Sequence, residues 1–180
     1  MRLATTLLPL CGIAVIACSS SSRPELNGTE LADSVRVAFQ HAWSGDMRYA
    51  RGHDELRPLS NGFRDWHDES LYMTPLDAFD TVLLMGLNAE AAEAKQLVLD
   101  NFNFDHDFSV QVFEIPIRTL GGLISGYQMD GDPRFLTLAT DLADRLLPAF
   151  ESRTGMPYGR VHLQTGETGG VCPTRQRSRH

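Results

Sequence analysis

The sequence has little of several features that would indicate a particular class of protein. It contains 3 cysteines and 2 tryptophans in 180 residues, too few cysteines for a disulfide-rich scaffold. Basic residues are outnumbered, 16 against 23 acidic ones, and the formal net charge is −7. Because phosphate binding needs clustered Lys and Arg, this charge argues against a nucleic-acid partner.

Metal-site spacing and sheet periodicity are also missing from the sequence. No two histidines are spaced i,i+4, as the two ligands of a helical zinc site would be. Alternation of apolar and polar residues is confined to a short stretch at Ser109–Phe113. No internal repeat shows residue-by-residue identity. We therefore expect the histidines to pack in the core or lie at the surface.

The first 18 residues have the features of a targeting segment. Arg2 gives a positive start, and a run of apolar residues extends from Leu3 to Ile16. Pro9 and Gly12 interrupt this run, which is too short to span a membrane comfortably. We predict that residues 1–18 are a signal peptide.

A cysteine at the end of this segment indicates how the mature chain is attached. Val15-Ile16-Ala17-Cys18 resembles the lipobox of bacterial lipoproteins, in which cleavage leaves the cysteine as the lipidated N-terminus. We predict lipidation of Cys18 and a flexible, serine-containing tether over residues 19–29. The protein would then be exported and anchored to a bacterial membrane, on the periplasmic side or at the cell surface. Ordinary cleavage and release is the alternative.

The region from about Leu31 to Phe150 has helical periodicity. Gly86–Asn88 and Asp130–Pro133 mark short connections, which favour antiparallel neighbours. The sequence therefore predicts an all-α array of helical hairpins, with a polar loop over Arg51–His67. Five apolar stripes at helix spacing carry this prediction: Leu31 to Ala42, Leu76 to Leu87, Ala91 to Val98, Ile117 to Tyr127, and Phe135 to Phe150.

The residues best suited to chemistry surround Pro116. Proline is tolerated only in the first turn of a helix, so Glu114 is expected at or just before a helix start, with Arg118 in the first turn. The spacing of four residues allows the two side chains to lie near each other. Gly121 and Gly122 would let another helix approach closely.

A carboxylate and a guanidinium at one helix start suit a polyhydroxylated substrate. The acid can protonate a leaving oxygen, and the guanidinium can donate hydrogen bonds to sugar hydroxyls. From the spacing alone, the alternative is an ordinary helix-start glutamate paired with a surface arginine, since such pairs are common and weak.

The segment from Phe113 to Tyr127 resembles the signature of the family 47 glycoside hydrolases, the class I α-1,2-mannosidases. It reads Phe-Glu-x-x-Ile-Arg-x-Leu-Gly-Gly-Leu-x-Ser-x-Tyr. Four further segments resemble conserved blocks of the family in the same order: residues 39–58, 76–87, 143–150 and 154–158. The resemblance covers roughly Leu31 to Gly166 and corresponds to the N-terminal part of such an enzyme.

The resemblance implies an (αα)7 barrel, of which residues 30–168 would form the opening helical hairpins in truncated form. It also implies calcium-dependent hydrolysis, with inversion, of terminal α-1,2-linked mannose from mannose-rich oligosaccharides. Glu114 matches the proposed general acid, which acts through a water, and Arg118 matches a substrate-contacting arginine. The family's other catalytic carboxylates and its calcium-binding threonine lie beyond this chain, so we assign no metal ligand.

Residues 169–180 form an atypical tail without periodicity. Cys172 would be left unpaired there in an oxidising compartment. We expect a frameshift or premature stop, the alternative being a natural short paralogue. Because inversion needs an acid and a separate base about 6.5–9.5 Å apart, we expect this chain to be inactive. A non-catalytic mannose-glycan-binding or structural lipoprotein is the alternative function.

Two further pairs of residues leave their roles open. Asp77 and Asp80 on an apolar helix face could form hydrogen bonds inside the barrel or cap the helix near Thr74, and we favour a structural role. Trp43 is expected in the core, whereas Trp66 in a loop could pack or stack on a sugar ring.

Overall fold

The computed structural model describes residues 27–170, and this part of the chain is mostly helical. A π-helical turn, Pro116–Leu120, leads into the fourth helix, and a 3-10 turn, Leu147–Phe150, follows the fifth. Each predicted apolar stripe falls on one of the five helices or on a turn beside it, so the predicted helical array is confirmed. The helices are α1 Gly28–Tyr49, α2 Met73–Leu84, α3 Asn88–Asn101, α4 Gly121–Asp130 and α5 Pro133–Leu146.

Short strands accompany the helices. An antiparallel hairpin places Leu56 opposite Phe63, and a three-stranded antiparallel sheet in the order β3-β4-β5 places Val110 opposite Val161. The alternating stretch at Ser109–Phe113 thus contains a strand. The strands are β1 Glu55–Arg57, β2 Gly62–Arg64, β3 Ser109–Gln111, β4 Arg160–His162 and β5 Thr168–Gly169.

The β1-β2 hairpin corrects the prediction of a loop over Arg51–His67. Its strands have three residues each, too few to show a period of two in the sequence. The turn between them contains Asn61 with φ of 52°, a left-handed conformation that asparagine tolerates better than most residues. The hairpin matters here because it carries the segment that follows it into the candidate site.

The core lies where α2 packs against α3 and α4, with α5 behind α4. Phe79 of α2 stacks on Phe135 of α5, with ring centroids 5.0 Å apart. This contact requires a glycine between the two rings, because a Cβ on Gly126 of α4 would lie 3.1 Å from Phe135 and 3.3 Å from Phe79. α2 and α4 therefore fix each other's position, and α4 carries the continuation of the Glu114 motif.

Helix α1 packs less completely than the others. Asn27 caps it by accepting a hydrogen bond from the Thr29 amide at 3.1 Å. Of its residues only Trp43 and Asp46 are buried, and the Trp43 indole donates to Glu93 of α3 at 3.0 Å. The prediction that Trp43 belongs to the core is confirmed.

Several predictions fall on residues outside 27–170. They are the signal peptide, lipidation of Cys18, most of the tether and nearly all of the tail, and they stay predictions. In the part of the chain that the structure describes, no helix combines the length and apolar character needed to cross a membrane.

Candidate active site

Glu114 stands at the start of the helical segment that continues into α4, as the sequence predicts. Pro116 opens a π-helical turn, in which the Gly121 amide donates to the Pro116 carbonyl five residues earlier. A π-turn holds one residue more than an α-turn and changes the direction of the side chains it carries, and such turns are frequent at functional sites. Arg118 lies within this turn and Glu114 precedes it, so the turn sets the direction of Arg118 relative to Glu114.

The half-buried side chain of Glu114 lines a cavity of about 470 Å³. Among the described residues, the ion pairs at this cavity join Arg64 to Glu55 and His53 to Asp65, and none includes Glu114. The Glu114 carboxylate is therefore available to a ligand. The other lining residues are Arg64, Asp65, Trp66, His67, Gln111, Ile115 and Arg160.

His67 contributes a polar group to the same cavity. Its ring stacks on Phe108, with centroids 4.4 Å apart. Burial is the main cause that lowers the pKa of His67, while the Asp54 carboxylate acts in the opposite direction. The ring is therefore neutral near pH 7, and a neutral imidazole has one nitrogen that donates and one that accepts a hydrogen bond. Such a group suits the hydroxyls of a sugar.

Arg118 pairs with Asp77 and not with Glu114. Its Nε donates to Asp77 Oδ2 at 2.8 Å, and its Nη2 pairs with the same oxygen. The guanidinium carbon lies 4.5 Å from the centroid of the Trp66 ring, within the range of a cation–π contact. The pairing with Glu114 that the spacing allows is not formed, because Asp77 takes its place.

Trp66 joins the two predicted residues into one surface. It lines the Glu114 cavity on one side, and Arg118 lies over its ring. Arg118 in turn borders an adjacent cavity of about 540 Å³ with Asp77 and Asp80. We call the continuous surface formed by Glu114, Trp66 and Arg118 the acid–arginine surface.

Trp66 is positioned by polar contacts that the sequence did not reveal. Its indole Nε1 donates to Glu55 Oε1 at 2.6 Å, and its backbone amide donates to Asp54 Oδ2 at 2.9 Å. Because both partners belong to the β1-β2 hairpin or precede it directly, the missed hairpin is what holds this ring in the site. Asp54 and Glu55 fall within the family-like segment 39–58, and their role as supports depends on the folded hairpin.

Asp54 is the centre of this support and has no exposed surface. Its Oδ1 accepts from the Leu71 amide at 2.7 Å and from the Met73 amide at 3.3 Å. Between these two donors Tyr72 has φ of 50°, a strained conformation for a bulky residue. Asp54 therefore holds in place the turn from which α2 starts, and α2 carries Asp77.

The structure distinguishes the two roles considered for Asp77 and Asp80. The N-cap position of α2 is occupied by Tyr72, which makes no side-chain capping bond. Neither aspartate therefore caps this helix, and the capping alternative is wrong. Asp77 pairs with Arg118, and Asp80 accepts from Ser125 of α4 at 3.1 Å. Both aspartates therefore connect α2 to the segment that contains the acid–arginine surface.

Asp65 is the other carboxylate that lines the Glu114 cavity. His53 Nδ1 lies 2.9 Å from its Oδ2, and the Asp54 amide donates to its Oδ1 at 2.9 Å. Both oxygens are thus engaged in holding the hairpin. Calcium prefers six to eight oxygen ligands, and residues 27–170 contain no group of three or more acidic, histidine or cysteine side chains that could hold a metal ion. The described residues therefore do not fit a calcium site.

Comparison with known proteins agrees with this geometry. Residues 38–179 match the profile of Glycosyl hydrolase family 47, a range that runs into the predicted tail. The endoplasmic reticulum mannosyl-oligosaccharide 1,2-alpha-mannosidase of Rattus norvegicus is 44% identical over 137 residues, which are 76% of this chain and 20% of the relative. A mannosyl-oligosaccharide 1,2-alpha-mannosidase of Arabidopsis thaliana is 42% identical over 132 residues, 73% of this chain and 23% of the relative.

A solved structure resembles the fold as well. The alpha-1,2-mannosidase from Trichoderma reesei superposes with a TM-score of 0.72 at 30% sequence identity, over 79% of this chain and 33% of that one. The prediction of a partial (αα)7 barrel is thereby confirmed. The chain spans between a fifth and a third of the length of these proteins. The family match over most of the sequence, with the Glu114 motif inside it, shows that the chain belongs to glycosyl hydrolase family 47.

Proposed function

We propose that this chain carries the acid-bearing part of an α-1,2-mannosidase that removes terminal α-1,2-linked mannose from mannose-rich oligosaccharides with inversion. The observation that supports this most directly is the acid–arginine surface. It presents an uncommitted carboxylate, Glu114, beside an aromatic ring and a guanidinium, Arg118, at the wall of a cavity. The names of the relatives, mannosyl-oligosaccharide mannosidases, give the class of substrate.

Each group on this surface has a role that its contacts allow. Asp77 occupies Nε and Nη2 of Arg118, which leaves Nη1 to donate to a sugar hydroxyl. The pairing also fixes the guanidinium over Trp66, so that little side-chain freedom is lost when a sugar binds. Glu114 supplies the proton that the leaving oxygen requires, directly or through a water.

Inversion requires a second carboxylate that activates a water on the opposite face of the sugar. Asp65 is a candidate for this base because it lines the same cavity as Glu114. Both of its oxygens, however, are already engaged by His53 and by the Asp54 amide. We therefore propose that the base, like the calcium ion, is held by residues outside 27–170. The 180-residue chain would then bind a mannoside without hydrolysing it.

Export of the protein is part of this proposal. Relatives named for the endoplasmic reticulum support passage through a membrane, and the apolar N-terminus provides a signal for it. Anchoring by a lipid on Cys18 is the more specific hypothesis. Mass spectrometry of the mature protein would show a diacylglyceryl or acyl addition on Cys18 if it is right.

Calorimetric titration with α-1,2-mannobiose, combined with an assay for released mannose, tests the proposal. We expect binding without turnover by the wild-type chain and by Glu114→Gln, and binding weaker by about tenfold for Arg118→Ala, which loses a charge-assisted donor. Arg48→Ala is the matched control, because Arg48 also lies over an aromatic ring, Tyr49, but lines neither of the two cavities that border the acid–arginine surface. Absence of binding, or an equal loss in Arg48→Ala, would contradict the proposed function.

A further inference from the structure

A second cavity, separate from the acid–arginine surface, contains a buried carboxylate without a partner. This cavity of about 400 Å³ lies between α1, strand β1 and α2. Asp46, in the last turn of α1, lines it and is only 5% exposed. Neither carboxylate oxygen of Asp46 has a hydrogen-bond partner among the described residues. Leaving a buried charged group in this state costs more than the 1–3 kcal/mol typical of a neutral one, so the group calls for a ligand.

The other polar groups at this cavity are already engaged. Glu55 accepts from the Trp66 indole and pairs with Arg64 at 2.5 Å. Thr74 Oγ1 donates to the Asp54 carbonyl at 2.7 Å, and the Trp43 indole donates to Glu93. The lining side chains therefore present no unused hydrogen-bond donor to Asp46, and the atoms that remain free are acceptors. Whatever binds there must bring the donors itself.

Charge selects the ligand further. The titratable groups near this cavity are His53, which acts on Asp46, Glu55 of the lining, which pairs with Arg64, and Glu93, which accepts from the Trp43 indole and pairs with Arg51. Glu55 and Glu93 each have an arginine, whereas among residues 27–170 the one basic group that acts on Asp46 is His53, whose Nδ1 already lies against Asp65. The uncompensated charge is negative, so a cation is favoured over a neutral donor.

The walls define the shape of that cation. Phe39 and Trp43 lie along one side with their rings nearly parallel, 6.5 Å apart and inclined by 12°. Ala42, Leu56 and Ala78 complete the apolar lining. Aromatic faces attract cations and exclude the water that would compete with them. One carboxylate supplies too few oxygen atoms for Ca²⁺, but it matches a single ammonium group.

We propose that this cavity binds a primary ammonium group carried on a short apolar chain, with Asp46 as its counter-ion and the rings of Phe39 and Trp43 around the chain. A volume of about 400 Å³ lies within the range of small-molecule sites. The cavity shares none of its lining residues with the Glu114 cavity. Glu55 of this lining accepts from the Trp66 indole, so binding at the two sites is distinguished by which tryptophan signal moves more.

The two tryptophans of the chain provide the readout, since Trp43 lines this cavity and Trp66 lines the other. In ¹H–¹⁵N spectra of the full chain, assigned with Trp66→Phe, n-butylammonium chloride should shift the Trp43 indole signal in a saturable manner and by more than the Trp66 signal, whose N–H donates to Glu55 of the cavity lining. The neutral isostere 1-butanol and sodium chloride should shift it little. The affinity should rise from pH 5 to pH 7.5, because burial raises the pKa of Asp46 to about 6.

Asp46→Asn should bind n-butylammonium weaker by about tenfold or more, because the charge-assisted bond is lost. Asp33→Asn removes one charge from an exposed position on the same helix and should bind as the wild type does. If 1-butanol shifts the Trp43 signal as much as n-butylammonium does, the cavity binds apolar chains without selecting a cation. If n-butylammonium causes no shift, the cavity holds water and no ligand. Either result overturns the proposal, and both comparisons use wild-type protein and so do not depend on how the variants fold.

Discussion

Asp46 and Asp54 are both buried and lie close together in the sequence, yet their surroundings are opposite. Asp54 accepts hydrogen bonds from the Trp66, Leu71 and Met73 amides and from Ser70. Asp46 has no partner for either carboxylate oxygen among the described residues. Both groups were removed from water when the chain folded, but only one was compensated by donors of the protein.

The difference assigns the two residues different roles: Asp54 supports the fold, and Asp46 is available to bind a ligand. A carboxylate with four donors fixes the segments that supply them, and Asp54 thereby orders the path from the β1-β2 hairpin to α2. A carboxylate without donors stabilises nothing while it is ionised, and it favours any cation that reaches it. The region around Asp54 is therefore preorganised for the acid–arginine surface, whereas the region around Asp46 is poised for a partner from outside.

Removal of Asp54 should have the largest effect. Asp54→Ala leaves several buried amides without an acceptor, at about 1–3 kcal/mol each, and releases the strained Tyr72. We expect a loss of at least about 3 kcal/mol in the free energy of unfolding, measured in urea. Asp33→Ala, an exposed carboxylate on α1, is the control and should stay near the wild-type value. A loss as small as that of the control would refute the supporting role of Asp54.

Asp46→Asn should change the free energy of unfolding in the opposite direction and stabilise the protein. Burial raises the pKa of Asp46 from 3.8 to about 6, and His53 opposes this only in part. A carboxyl group whose pKa is higher in the folded state contributes full stability below pH 3.8 and loses it as the pH rises through about 6. The introduced asparagine does not ionise, so the variant does not lose stability in this way. Between pH 3.8 and pH 7 its free energy of unfolding should therefore rise above that of the wild type by up to roughly 3 kcal/mol.

Urea unfolding of both proteins at several pH values checks this prediction. The gap between Asp46→Asn and wild type should widen from pH 4 to pH 7. A gap that stays constant with pH would mean that Asp46 is solvated or paired in the folded protein, and the contrast with Asp54 would disappear.

The paired glycines should give the smallest effect. A Cβ on Gly122 would lie 2.9 Å from Leu76 Cγ of α2, whereas on Gly121 it would meet only the Pro116 carbonyl oxygen at 3.5 Å. Gly122→Ala should therefore cost about 1–3 kcal/mol by overpacking, and Gly121→Ala should be neutral or slightly stabilising. Thermal unfolding of the two variants decides it, and equal melting temperatures would show that α2 and α4 are not held as closely as the structure indicates.

Helices α2, α3 and α5 could be predicted because each one buries a stripe of apolar residues long enough to show its period, whereas α1 shows the period although most of its stripe is exposed. Phe135, Leu138, Ala139 and Leu142 in α5 are an example. The β1-β2 hairpin could not be predicted, since three residues per strand carry no readable period. Its position depends on long-range hydrogen bonds such as Asp54 to Leu71, which local sequence patterns do not encode.

The residues of the site could be predicted from the sequence, but most of the contacts between them could not. Pro116 correctly places Glu114 at a helix start, and the motif draws attention to Arg118. That Arg118 pairs with Asp77 and lies over Trp66 depends on the π-turn and on the loop after the hairpin. Asp46 at the end of α1 and Asp54 shortly after it have the same chemistry in the sequence, and only the packing around them reveals their different roles.

The most direct test of the central claim, that the acid–arginine surface binds mannose, is a titration of the full chain with α-1,2-mannobiose followed through the two indole signals. Trp66 forms part of that surface, and Trp43 lines the Asp46 cavity. The account predicts a saturable shift of the Trp66 signal, an unmoved Trp43 signal, and a midpoint at about tenfold higher mannobiose concentration in Arg118→Ala. A Trp66 signal that stays unchanged at saturating mannobiose, or a shift confined to Trp43, would contradict it.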